Sequence, residues 1–286
     1  MQTNKLARLA LRPKIFHTLI GLTPCQFIKL LADLRPIWEA AEIKRKSRPG
    51  RKRAIGQGPK PKLDLSGDLF MLLLFYRTYA GQVFIGTVVG LDDSNVSRRI
   101  RRLEPLLQRV FRVPAKRIDL TENEIWELIV DATEQETERR RGTKFSGKKY
   151  RQTIKTQIHV DKRGIIRSVS KSTTGNRHDK HLYDITQAYC RGPDGKPMRV
   201  KTKSDLGYVG TACDTPIKKP KSRPLMMHEE YANKQHTRQR IGVEHEIAHI
   251  KQWAVIGQRF RHTPNRHNLM FRNVAGLRNL IRTSVA

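Results

Sequence analysis

Residues 126–132 read WELIVDA. The run is short, apolar and β-branched, and it ends on an acid. Seven residues are too few for a buried helix, so the spacing predicts a buried strand closing on Asp131. Working outward, residues 138–151 are polar and basic and contain Gly142 and Gly147, the composition of a hairpin tip. Thr153–Val160 alternates as a strand, Asp161–Gly164 is a turn, and Ile165–Ser172 is a third strand, giving a three-strand antiparallel meander. Asp179–Cys190 is predicted as a helix with Asp179 as its N-cap. Arg199–Asp205 is a polar fourth strand and Thr215–Lys219 a further one. Glu229–Val255 reads as a long helix with Val243, Ile247, Ile250 and Ala254 inward, and Leu269–Ile281 as a last helix.

A meander followed by helix, strand and helix is the order of an α/β, ribonuclease H-like domain: a mixed sheet with flanking helices, here over residues 120–286. In that sheet the first and fourth strands are neighbours, so Asp131 and Asp205 lie side by side. Paired carboxylates repel unless a cation meets them. With Glu244 from the long helix they form an all-oxygen set suited to Mg²⁺ or Mn²⁺. Two such ions roughly 3.5–4 Å apart serve the attacking and leaving oxygens of a phosphodiester. Arg240, Glu244 and Lys251 fall on one helix face, where the two cations suit phosphate. Taken alone, Arg240 and Glu244 read as a surface ion pair. Glu246 is the rival third ligand, and Glu134 reads either as a supporting partner or as an exposed side chain.

Charge points to the same substrate. The 286 residues hold 57 Lys+Arg against 26 Asp+Glu, a net charge of +31. Like charges at that density repel in a compact state unless a polyanion offsets them. Hydrophobic residues make up 37%, enough to exclude a disordered chain. No apolar run approaches a membrane span, and Met1–Lys14 lacks the apolar stretch of a signal peptide. Cys25, Cys190 and Cys213 are odd in number and scattered, which argues for a reducing, cytoplasmic setting, in association with the nucleoid.

Upstream, residues 1–43 form an N-terminal helical segment. Thr23 and Pro24 are placed as N-cap and first helical position. Residues 44–63 are a basic linker or arm; Lys44–Lys62 holds nine Lys/Arg, three Pro, three Gly and no acid. Residues 64–113 read as three helices: one capped by Ser66, one over Gln82–Val89, and one from about Ser94 to Val110 after Gly90 and the turn LDDSNV. This is a helix-turn-helix pattern. Its last helix would present Ser94, Asn95, Arg98, Arg99 and Arg102 to DNA, with Ile100, Leu103, Leu106 and Leu107 inward.

Four segments carry a family resemblance: IVDATEQETERRRGTKFSGKKYRQTIKTQ, STTGNRHDKHLYD, SDLGYVGT and VEHEIAHIKQWAVIGQRFR. They resemble the DDE transposases of bacterial insertion sequences, in the insertion-sequence-five superfamily with its Harbinger relatives. Asp205 and Glu244 are 39 positions apart. The family's Tyr-x2-Arg-x3-Glu-x6-Lys signature falls on Arg240, Glu244 and Lys251, with Thr237 in place of the Tyr and Leu206 where a basic residue is usual. The resemblance implies a nuclease and strand transferase in which Asp131, Asp205 and Glu244 hold two metal ions. It also implies that the helix-turn-helix binds terminal inverted repeats, and that a dimer or larger assembly pairs two DNA ends. The alternative within the family is a domesticated DNA binder without transposition activity. From a different class, His245-Glu246-Ile247-Ala248-His249 spells H-E-x-x-H, the zinc-protease arrangement. No acid follows Glu246 to supply a downstream third ligand.

Overall fold

A computed structural model describes residues 3–47, 61–116, 118, 128–139, 144–186, 189–191, 196–199 and 202–284. Of the expected arm over 44–63, Lys44–Lys46 instead form the last turn of α3, and 48–60 lie outside the described residues, as do the first two residues of WELIVDA and positions 140–143 of the tip expected over 138–151. The chain divides into two compact units. One comprises Met1–Arg112 with Trp253–Val255 and Thr283–Ala286; the other comprises Val113–Gln252 with Ile256–Arg282.

The first unit is helical: α1 (Thr3–Ala10), α2 (Pro13–Ile20), α3 (Pro24–Lys46), α4 (Leu65–Thr78), α5 (Gln82–Val89) and α6 (Asp93–Phe111). Gly21 takes φ 73° and ends α2. Thr23 then opens α3 with a capping box to Gln26, and Pro24 fills the first turn as the sequence requires. Asp64, rather than Ser66, caps α4. The core holds nearly all of α4 from Leu69 to Tyr76, with Phe16 stacked edge-on against Phe27. Between α5 and α6 the turn is tight. Gly90 takes φ 75°, and a Cβ on Gly86 would lie 2.3 Å from the Leu91 carbonyl oxygen. Asp92 caps α6, which begins at Asp93, within a residue of the expected start at about Ser94.

The second unit is a mixed sheet with flanking helices, the layout consistent with a ribonuclease H-like domain. β1 (Leu128–Glu136) pairs antiparallel with β3 (Arg151–Val160), and β3 pairs with β2 (Lys144–Ser146), β4 (Ile166–Val169) and β5 (Thr173–Thr174). The meander is therefore β1, β3 and β4. After α7 (Asp179–Thr186), β6 (Tyr189–Arg191) and β7 (Pro197–Arg199) make a separate hairpin. The expected helix through Cys190 thus stops at Thr186, where Tyr189 instead exchanges main-chain bonds with Lys116 and Ile118. β8 (Thr202–Lys203) is the surviving core of the predicted fourth strand and runs parallel to β1 at Leu128 and Ile129. Thr215–Lys219 is not a strand; the chain makes a single bridge, Lys203 to Asp214, before Pro216.

The sheet sorts its residues by alternation. Val130 packs against Tyr183 and Tyr208 on one side. Gln135 faces the other, where His267 donates or accepts through Nε2 at 2.8 Å. That side is covered by α8 (Met227–Lys251) and α10 (Pro264–Thr283), with the short α9 (Ala254–Gly257) between them. Val243 and Ile250 are the buried residues of the expected α8 stripe; Ile247 is half-buried.

Candidate active site

Because β8 lies parallel beside β1, the chain leaves β8 at the level of Asp131. Asp205 sits two residues past the strand and caps a 3-10 turn, its Oδ1 accepting from the Gly207 N–H at 2.9 Å. Asp131 is half-buried and accepts from its neighbour Ala132 N–H at 2.7 Å. Burial pushes its carboxyl up to about 6; the Ala132 N–H and Arg240 oppose the rise, and the charges of Asp205 and Asp179 add to it. The structure therefore brings Asp131 and Asp205 together.

Glu244 lines the same cleft as Asp131, together with Lys148, Lys149 and Lys251. Its side chain is 53% exposed and meets Arg240 at 3.4 Å. Arg240 itself is nearly buried, its Nε without a partner, and its charge also acts on Asp131. Lys251 is held below its usual range by burial and by Lys149, against the pull of Asp131 and Glu134. Thr237, at the family's Tyr position, donates only to the Asn233 carbonyl of its own helix.

Glu246 is turned away. Only 3% of its side chain is exposed, and Arg278 grips both oxygens, with Arg282 at 3.7 Å. This carboxylate is committed to a buried ion pair, so it is free neither as a metal ligand nor as a protease's general base. His245 and His249 line another cavity on that side, with Asp161 and Arg282.

Two residues were missed as members of the cleft. Asp179 occupies the first turn of α7 instead of its N-cap position, and its carboxylate reaches Lys155 at 3.0 Å. A Cβ on Gly207 would lie 3.0 Å from Asp205 Oδ1 and 3.2 Å from Asp179 Oδ2, so the two acids flank one glycine. Tyr208 lies beside the same acids: burial raises its phenol first, and the charges of Asp179, Asp131 and Asp205 add to the rise. Lys155 is 7% exposed and bridges Asp179, Glu134 at 3.1 Å and the Arg177 carbonyl. Glu134 and Lys155 are direct cross-strand partners in the β1–β3 register. Burial raises Glu134, but Thr153, Ser146 and Lys155 outweigh it and hold the carboxyl below its usual range. A lysine inside an alternating strand, TIKTQIHV, was the available signal, since such a cation needs an acid opposite.

The donor set is carboxylate oxygen only, and Asp131 carries like charge on two sides. Those features fit a hard divalent cation. As the side chains stand, no three His, Cys, Asp or Glu residues among the described ones converge on a metal position.

On the helical unit, Ser94, Arg98 and Arg102 are exposed on α6 and Asn95 is half-buried. Asn95 is bonded to Asp92, and Arg102 lies 3.6 Å from Glu42. Arg99 departs from expectation. Its guanidinium is 18% exposed and held by Asp68 at 2.6 and 2.9 Å, so it braces α6 on α4 rather than facing outward.

The comparisons agree with this layout. The family described as DDE superfamily endonuclease matches residues 130–279. A Microchaete diplosiphon protein described as the probable transposase for insertion sequence element IS702 is 29% identical over 250 residues, covering 84% of this chain and 86% of its own. A Streptomyces albus G protein named for the transposase of insertion sequence element IS112 is 28% identical over 238 residues, covering 82% and 83%. No solved structure matches the chain.

Proposed function

The chain belongs to the DDE superfamily of endonucleases and is a DDE transposase of the insertion-sequence kind; on that premise we propose that it binds the inverted repeats at an element's ends, cuts them, and joins the freed 3′-hydroxyl to target DNA. The observation that carries this reading is the meeting of Asp131, within β1 and not at its end as the apolar run suggests, with Asp205 just past the parallel β8, with Glu244 on the same cleft and cations around it. Asp131, Asp205 and Glu244 would hold Mg²⁺ or Mn²⁺, which supplies charge stabilisation for the attacking and leaving oxygens. Arg240, Lys148, Lys149 and Lys251 supply fixed positive charge for the scissile phosphate and its neighbours. Lys155 holds Glu134 and Asp179 in place beside that cleft. Water attacks first; the released 3′-hydroxyl then attacks the target phosphodiester, with no protein-linked intermediate.

End binding falls to α5 and α6, whose tight turn and outward Ser94, Asn95, Arg98 and Arg102 suit a helix entering the major groove. Pairing of two ends calls for a dimer or larger assembly, working on chromosomal DNA at the nucleoid. The test uses a plasmid carrying the gene with its native flanks. Asp131→Asn should abolish Mg²⁺-dependent cleavage while leaving duplex binding intact; full cleavage by this variant would sink the catalytic assignment. Arg98→Ala should weaken end binding and reduce its salt dependence, with cleavage of bound ends unchanged.

A further inference from the structure

Away from the acid cleft, a cavity of about 930 Å³ opens in the α/β unit where β5, α7 and the start of α10 meet. Lys116, Lys171, Arg177 and Arg272 line it, with Thr173 and Asn268, and among the described residues no carboxylate does. Lys116, Lys171 and Arg177 are exposed. Arg272 is half-buried, and its Nε has no acceptor; one terminal nitrogen reaches the Val169 carbonyl at 3.4 Å. The same unit gives Arg167, Arg223 and Arg278 a carboxylate each, Asp161, Glu229 and Glu246. Arg272 has none. Thr173 Oγ1 is likewise buried without a partner. A half-buried cation with an unsatisfied Nε, beside an unsatisfied hydroxyl and three further cations, calls for an anion rich in acceptors.

We propose that this groove seats the phosphodiester backbone of a DNA strand, separately from the strand being cut. The inference rests on the reading of the chain as a DNA-acting transposase. The groove and the acid cleft share their wall. Arg177 lines the groove, and its carbonyl accepts from Lys155 Nζ at 2.9 Å. Thr153 lines the groove and donates to Glu134 at 2.7 Å. A strand held there runs next to the residues that set the cleft.

The test measures affinity of the full chain for a labelled mixed-sequence duplex across a KCl series. Each lost phosphate contact removes about 0.9 from the slope of log affinity against log salt. The double variant Lys116→Gln/Lys171→Gln, both surface lysines, should lose about 1.8 of that slope. Lys218→Gln/Lys219→Gln, an equal charge change elsewhere, should lose none. Equal slopes for the wild type and the groove variant overturn the groove, as does an equal loss in the control. A wild type that binds no duplex overturns the transposase reading and the groove with it. A separate arm uses inorganic phosphate alone. If it raises the melting temperature of the wild type but not of Arg272→Met, while the groove variant keeps the wild-type DNA slope, the site takes a free anion and the DNA assignment fails.

Discussion

Glu244 and Glu246 stand two residues apart and have opposite environments. One is solvated beside Arg240, the other desolvated against Arg278. Removing one member of a buried pair strands the other charge and costs about 3–5 kcal/mol. Glu246→Gln should therefore lower the melting temperature sharply and cost only a small part of the cleavage per folded molecule. Glu244→Gln should do the reverse, losing cleavage with little change in melting. Lys155→Met offers a third pattern. It frees Glu134 and Asp179 beside the cleft, so cleavage should fall about 10–100-fold, the range seen when supporting partners of a site are removed. Duplex affinity measured in the same assay should stay at the wild-type value. At this scale the sequence was partly legible. Asp131, Asp205, Glu244, Arg240 and Lys251 are placed in or beside one cleft by strand order and helix spacing. Asp179 and Lys155 were not, because their roles depend on a cross-strand register and on the way α7 docks, neither of which is written in local spacing. Arg99 was misjudged for the same reason: its partner Asp68 lies 31 residues away.

Among the elements, the turn between α5 and α6 depends on two glycines for different reasons. Gly90 supplies a left-handed backbone, and Gly86 supplies room for the Leu91 carbonyl. Gly86→Ala brings a methyl to 2.3 Å from a main-chain oxygen, which no rotamer can relieve. We expect a loss of about 1–3 kcal/mol in the helical unit's stability, in the range for forced overpacking. Urea unfolding followed by helical circular dichroism measures it. The long elements, α3, α6, α8 and β3, were legible because their apolar spacing repeats over many residues. Short ones were not. Within the predicted Arg199–Asp205, β8 is described over Thr202–Lys203, and β6 appears where a helix was expected, since pairing partners rather than propensity decide such segments.

Over the whole molecule, a charge of +31 coexists with buried histidines that carry none. Burial holds His159 at about 4 and His267 at about 3, against an ordinary 6.5. His159 bonds Ser168, and His267 bonds Ser172 and Gln135. Below pH 6.5 the unfolded chain takes up protons that the folded chain refuses, so stability falls as pH drops from about 6.5 toward 4. Each such histidine contributes up to about 1.4 kcal/mol per pH unit over that window. Calorimetry should show the melting temperature falling between pH 7 and pH 4.5, and His267→Gln should flatten the fall. An unchanged slope in that variant would remove His267 from the account.

The buried grip of Arg278 on Glu246 also sets an angle. Successive residues on a helix turn by about 100°, so Glu244 points about 200° away from Glu246. Arg240 and Lys251 fall within about 40° of Glu244 on the same reckoning. Pinning one glutamate to α10 thus works as a rotational index for α8: the whole cationic-acidic edge is aimed at the cleft before any DNA arrives. Any ligand or substitution that twists α10 would be felt as misalignment at a site that α10 never touches.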